Sequence, residues 1–321
     1  MLKTANIFMT GGAGTLGRAI AQRRKRDGWT GKLTVYSTDS HKHQLMKRLY
    51  PDVNYIQGDI RNPETLYNGM VGHDVCLHLA AVKVIPVSEF YSIDTIDVNI
   101  NGSLNVCVQA ISAGIKHVLG ISTDKACHPA NLYGATKMAM EKIFQEYARL
   151  SWQEWETQFH LVRYGNVLES TGSVIEAWHN SMNAGEPIKV TDSQMTRFWL
   201  SPQQAVDLVI KSLELPSGQI YIPKIKSLSI ENLAEYTVSA TIWENADIKV
   251  AFVPIRPGEK RHECLLTIEE AKGALYFPDH FVIQPSTSEA FPYHLFETKE
   301  YTSDIAEKLT KDELMELLRN E

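Results

Sequence analysis

The chain has 321 residues, 44% of them hydrophobic and 22% charged, with a net charge of −6. That length suits two units of roughly 150 residues, or one α/β unit with an attached lobe, and the composition excludes collagen-like and disordered chains. The acidic balance excludes a global basic field, so neither nucleic acid nor a membrane surface is expected as a partner.

Met1–Asn6 carries no signal-peptide pattern and leads straight into an apolar run, Asn6–Thr10. Gly11-Gly12-Ala13-Gly14-Thr15-Leu16-Gly17 follows, then a helical stretch to about Arg26. The basic run Arg23–Arg26 reads as the solvated face of that helix. Lys32–Tyr36, Val53–Gln57, Val75–Ala80 and His117–Ser122 are further short apolar runs, with a long helical pattern over Thr95–Ala113. A helix over Tyr133–Arg149 and a strand at Phe159–Tyr164 continue the alternation. Short apolar strands separated by helices mean parallel strands buried on both faces, hence an α/β, doubly wound, Rossmann-type sheet.

After Arg163 the rhythm breaks into proline-punctuated short elements, which predicts a smaller C-terminal substrate-binding lobe. Residues 1–166 are therefore read as the dinucleotide-binding domain, with returning segments near 200–222, and 167–321 as mainly the lobe and tail. Lys311–Asn320 reads as an amphipathic helix that either caps the lobe or docks a neighbouring subunit. Cys76, Cys107, Cys127 and Cys264 show no CxxC spacing, so no disulfide framework or metal site is expected. The longest apolar candidate, Val106–Ile121, is broken by Gln109, Lys116 and His117, and falls short of the about 18 residues of a spanning helix. A soluble, cytoplasmic homo-oligomer is the expectation.

At the first strand–helix junction, Gly11, Gly14, Thr15, Leu16 and Gly17 allow a tight turn and close approach of backbone to a pyrophosphate at a helix N-terminus. The second strand tip should meet the adenosine ribose. There Ser37, Thr38 and Lys42 would hold a 2′-phosphate, whereas Asp39 would bond a 2′-hydroxyl. Asp59 and Ile60, past the third strand, are read as adenine contacts, and Ala80 and Lys83 as lying near the nicotinamide. Lys42 tips the reading to NADP, with NAD the alternative.

Ser122-Thr123-Asp124-Lys125 stands at the C-terminal tip of a predicted central strand, where open α/β sheets carry out chemistry. Tyr133 and Lys137, four apart, share one helix face. An ammonium there would lower the phenol pKa toward neutrality and make Tyr133 a base.

The glycine loop, Thr123 and Tyr133-x-x-x-Lys137 resemble the extended short-chain dehydrogenase/reductases. Ser122–Ala126, Asn131–Lys137, Arg163–Val167, Met195–Trp199 and Arg256–Lys260, in that order, resemble the UDP-N-acetylglucosamine 4,6-dehydratases, in particular the inverting ones of pseudaminic acid and polysaccharide biosynthesis. The likeness runs from about Ile7 to Pro285. It implies a UDP-sugar substrate and catalytic Thr123, Asp124, Lys125, Tyr133 and Lys137. Tyr133 would take the C4 hydroxyl proton, Thr123 would hold that oxygen, and Lys137 would hold the cofactor ribose. Lys125, if neutral, would take the C5 proton, and Asp124, if its pKa is raised, would protonate the leaving C6 hydroxyl. Lysine at 125, where the C5-retaining sugar nucleotide dehydratases carry glutamate, makes C5 inversion the expectation.

Arg197 and Arg256 are the candidates for the diphosphate, with Asn166, Glu259 and Lys83 as further substrate contacts. Two departures from the family pattern stand out. Thr38 replaces a frequent arginine, and Leu168-Glu169-Ser170-Thr171-Gly172 replaces a Gly-Ser-Arg-Gly run. The rival readings are a UDP-sugar 4-epimerase, which needs no elimination pair, and a non-catalytic dinucleotide sensor.

Overall fold

Six apolar runs become strands: β1 (Ile7–Thr10), β2 (Leu33–Ser37), β3 (Asn54–Gln57), β4 (Val75–His78), β5 (His117–Thr123) and β6 (Gln158–Tyr164). The computed structural model describes residues 1–168, 170, 172–239, 249–285 and 299–319. All six strands pair in parallel in the order β3-β2-β1-β4-β5-β6. The order reverses between β1 and β4, which opens a crevice at their carboxyl ends. Every residue of β1 and β4 is buried, the signature of strands covered by helices on both faces.

The sheet does not stop at β6. Ile220–Pro223 adds in parallel, and His280–Ile283 and Ala274–Tyr276 follow antiparallel, giving nine strands. The chain reaches this edge of the sheet through helix Pro202–Ser212 and strand Ile220–Pro223. Residues 274–283, assigned from sequence to the lobe, also belong to this sheet. Their short runs carried no periodic signal linking them to a sheet more than fifty residues upstream.

The lobe has its own core, built from Trp178, Met182, Val190, Trp199, Leu228 and Leu233. Leu314 is fully buried in it, and Leu317 and Leu318 pack on it, so helix Lys311–Arg319 caps the lobe. Among the described residues, no helix is long and apolar enough to cross a membrane.

Two helices differ from their sequence reading. The stretch over Thr95–Ala113 divides into Ser92–Ile96, a π-helical turn Asp97–Asn101, and Gly102–Ser112. The wide turn swings buried Asn99 inward, where its amide accepts from Val82 N–H at 2.8 Å and donates to Val82 C=O at 2.9 Å and to Thr136 at 3.0 Å. The second helix runs from Leu132 to Glu154, past the expected end at Arg149. The basic face of the first helix, Thr15–Asp27, is largely ion-paired: Arg23 to Asp27 and Asp207, Arg24 to Asp52, Arg26 to Asp27.

Candidate active site

The glycine loop crosses the crevice where β1 ends. Gly11 has φ +64°, and a Cβ there would lie 2.7 Å from the Ala80 backbone; one on Gly17 would lie 2.0 Å from the Gly12 carbonyl oxygen. Gly14 caps the helix without a side chain, and no acidic residue occupies the first turn, so the positive helix end faces the crevice. Leu16 packs against the core and Thr15 opens the helix. These features fit a dinucleotide pyrophosphate. Ala80 N–H lies 3.4 Å from the Thr10 hydroxyl, and Asn99 pins Val82 beyond it.

The ribose loop is internally engaged. Ser37 Oγ sits 2.7 Å from His43 Nε2. Asp39 caps helix Ser40–Leu49 by accepting from Lys42 N–H at 2.9 Å, and its carboxylate also faces Lys42 Nζ at 3.1 Å. Lys42 thus has an acidic partner that the sequence reading did not give it. Lys83 stands where it feels Lys42 and, from the lobe, Glu176. Asp59 is gripped by Arg61 through both carboxylate oxygens, at 3.1 and 2.6 Å, while Ile60 is buried beneath Gly102.

At the tip of β5 the chain turns through a 3₁₀ segment, Asp124–Ala126. Thr123 Oγ1 donates to Asp124 Oδ1 at 2.9 Å, and Lys125 Nζ donates to the same oxygen at 3.0 Å. The helix bearing Tyr133 docks closely on this tip, because a Cβ on Gly134 would lie 2.1 Å from Lys125 O. Asn131 caps that helix and also donates to Gly258 O at 2.9 Å, while Glu89 accepts Leu132 N–H at 2.7 Å. Thr123 is among the groups that favour the ionised Tyr133 phenol.

Burial pushes the Tyr133 phenol up to about 12, and the cation that favours its ionised form is Lys125. Lys137, expected beside the phenol, instead donates to Ile121 O at 2.8 Å, and burial lowers it to about 8. Burial raises Asp124, as an elimination acid requires. For Lys125 burial acts downward, but Asp124 and Glu263 outweigh it and hold the ammonium above the ordinary lysine range. Two buried carboxylates thus face the amine that the sequence reading required to be neutral.

Arg197, a candidate for the diphosphate, is withdrawn from that role by the structure. It is 6% exposed, and its guanidinium donates to the carbonyls of Thr196, Lys260 and Arg261 at 2.7, 2.9 and 3.1 Å. Arg256 is exposed, and its N–H donates to Glu259 at 3.3 Å. The Asn166 side-chain oxygen is buried and has no partner among the described residues. Glu169 and Thr171, in the departing loop, lie outside the described residues.

Sequence reasoning missed Glu263, Glu270 and Asn99. Glu263 follows Arg256–Lys260 by three residues and was within reach of that motif. The others carried no local signal. Arg163, fully buried, bonds Glu141 at 2.9 and 2.6 Å and Glu270 at 2.9 Å through two nitrogens, which ties β6 to helices Leu132–Glu154 and Ile268–Ala271.

The family model described as polysaccharide biosynthesis protein matches residues 7–285. The chain is 34% identical to the UDP-N-acetylglucosamine 4,6-dehydratase (inverting) of Campylobacter jejuni, over 89% of this chain and 84% of that one. It is 32% identical to the UDP-glucose 4-epimerase of Rickettsia conorii, over 99% and 96%. The solved structure of Pen from Bacillus thuringiensis superposes with a TM-score of 0.90 at 30% identity, covering 100% of this chain and 98% of that one. With that fold and these relatives, the chain belongs to the polysaccharide biosynthesis protein family of extended short-chain dehydrogenases/reductases, as an enzyme of the nucleotide-sugar dehydratase and epimerase class.

Proposed function

We propose that this protein is a UDP-N-acetylglucosamine 4,6-dehydratase that inverts C5. The observation that carries the reading is the Asp124–Lys125 pair beside Thr123, Asp124 buried and Lys125 half-buried, with Nζ 3.0 Å from Oδ1. A 4-epimerase needs no acid–base pair for elimination. A nicotinamide dinucleotide, when bound, accepts hydride from C4 and returns it to C6, so none is consumed. Gly11, Gly14, Thr15, Leu16 and Gly17 would hold its pyrophosphate, Lys137 its nicotinamide ribose, and Lys42 a 2′-phosphate, which makes NADP the proposed form.

The ionised Tyr133 phenol would accept the C4 hydroxyl proton while Thr123 orients that oxygen; the Lys125 charge favours this ionised state. Transfer of one proton from Lys125 Nζ to Asp124 Oδ1 then converts the charged pair into a neutral amine and a neutral acid without changing the total charge. Burial of Asp124 favours its neutral, protonated form. The amine removes the C5 proton, made acidic by the C4 ketone, and the acid protonates the departing C6 hydroxyl. Water leaves and the charged pair is restored. Lysine at 125 supports C5 inversion, since the group returning the proton need not share the face of abstraction. Arg256 and Asn166 remain the candidates for the UDP-sugar, and exposed Phe90, Tyr91 and Ile93 support a homo-oligomer.

The test is incubation with UDP-N-acetylglucosamine followed by proton NMR. The expected product shows a C6 methyl doublet. An unchanged C6 with inverted C4 would give the reaction to the epimerase alternative, which the 32% identity to UDP-glucose 4-epimerases supports.

A further inference from the structure

Glu263 is 2% exposed, and its carboxylate meets three cations from separate parts of the chain. Oε1 faces Lys125 Nζ at 3.4 Å and Arg197 Nε at 3.7 Å, while Oε2 faces Lys260 Nζ at 3.1 Å. Its backbone is fixed to Ser303, donating to Oγ at 2.9 Å and accepting from Ser303 N–H at 2.8 Å. Lys260 also donates to Cys127 O at 2.8 Å, three residues beyond Asp124. Arg197 is held by backbone carbonyls of residues 196, 260 and 261. Glu263 therefore sits on a rigid mount, and Lys125 is the one of its three partners at the proposed reacting centre.

We infer that Glu263 is a positioning residue that sets both the direction and the protonation of Lys125, holding its ammonium between two carboxylates until Asp124 takes the proton. The inference rests on the dehydratase reading for its consequence in turnover, but not for the charge relationship itself. The groups facing Lys125 are Asp124 and Tyr133 from the sheet domain, and Glu263 and Arg197 from the lobe, with Lys260 on the other oxygen of Glu263. With both carboxylates ionised, two negative charges meet three positive ones. Removing the Glu263 charge leaves one against three, so Lys125 releases its proton more readily. A carboxylate at this range is worth about one pH unit or more to a buried lysine.

The experiment is competitive acylation of the full-length protein with trace acetic anhydride at fixed pH, with the extent at Lys125 read by mass spectrometry against the exposed lysines. Glu263→Gln should be acylated at Lys125 about tenfold faster than the unmodified protein, with the exposed lysines unchanged. Glu263→Asp, which keeps the charge, should fall between the two. If Glu263→Gln does not fold, Lys260→Met tests the converse: with a neighbouring cation gone, acylation of Lys125 should slow. A folded Glu263→Gln that labels Lys125 at the unmodified rate would overturn the inference and leave Glu263 a structural ion pair.

This labelling needs no substrate, so it stands apart from the dehydratase reading. The second arm is the pH profile of solvent deuterium entry at C5 of UDP-N-acetylglucosamine. Its ascending limb should move about one pH unit lower in Glu263→Gln. Labelling that shifts while the unmodified protein forms no deoxysugar would leave the charge relationship in place and sink the proposed reaction. A loss of rate with no shift in the profile would overturn the positioning role.

Discussion

Lys125 Nζ and Thr123 Oγ1 both donate to one oxygen of Asp124, Oδ1, while the other, Oδ2, is buried with no partner among the described residues. The carboxyl is thus anchored through one oxygen, the one that faces the Lys125 ammonium and would receive its proton.

That geometry separates oxidation from elimination. Asp124→Asn keeps the shape but cannot protonate the C6 hydroxyl, and Lys125→Ala removes the C5 base. Both should lose about 10²–10⁴ in turnover, the usual contribution of a positioned acid or base. Asp124→Asn should still oxidise C4 in a single turnover, and Lys125→Ala should do so more slowly, because the Lys125 charge favours the Tyr133 phenolate. Absorbance of the reduced cofactor and NMR in heavy water read the two stages. Lys125→Ala should exclude deuterium from C5. Near-normal dehydration by both variants would make the pair structural and favour the epimerase.

Tyr133→Phe should block every stage, including transient cofactor reduction, because it removes the phenol that takes the C4 hydroxyl proton. In the unmodified enzyme, dehydration should proceed with no net build-up of NADPH or NADH. Stoichiometric accumulation during turnover would indicate a plain dehydrogenase.

The ribose loop predicts a cofactor split that titration calorimetry can measure. Lys42→Ala should weaken NADP by about 1–2 kcal/mol and NAD by less, the loss of one charge-assisted contact. Asp39 competes for Lys42 at 3.1 Å, so Asp39→Asn should tighten NADP relative to NAD. Tighter binding of NAD by the unmodified protein would refute the preference.

Arg163 predicts a stability effect remote from turnover. Arg163→Met leaves Glu141 and Glu270 facing each other with no cation between them, and should cost about 3–5 kcal/mol in denaturant unfolding. The triple change Arg163→Met, Glu141→Gln, Glu270→Gln should recover much of that loss. If the single variant unfolds at the normal midpoint, the network contributes little.

His78 predicts acid sensitivity. It is fully buried between Thr10 at 2.8 Å and Ser103 at 3.0 Å, and burial lowers its pKa to about 3. Below about pH 6.5 the unfolded chain binds a proton that the folded one refuses, so stability falls as pH drops from there toward 3. Each such proton contributes a slope of about 1.4 kcal/mol per pH unit. His78→Gln should flatten the slope of unfolding free energy across that window; an unchanged slope would assign the acid sensitivity to other groups.

The sequence by itself determined what depends on local chemistry. A glycine loop after an apolar strand, strands buried on both faces, and a tyrosine four residues before a lysine are each written in adjacent residues. They sufficed for the sheet from β1 to β6. Only the tertiary structure decided where charges from distant segments end up. Arg197 looked like a diphosphate ligand until the carbonyls of residues 260 and 261 were seen to occupy its nitrogens. Lys125 looked like a neutral base until Glu263, 138 positions away, stood 3.4 Å from its ammonium. Coulomb interaction depends on distance in space and on burial, and neither is recorded by separation along the chain.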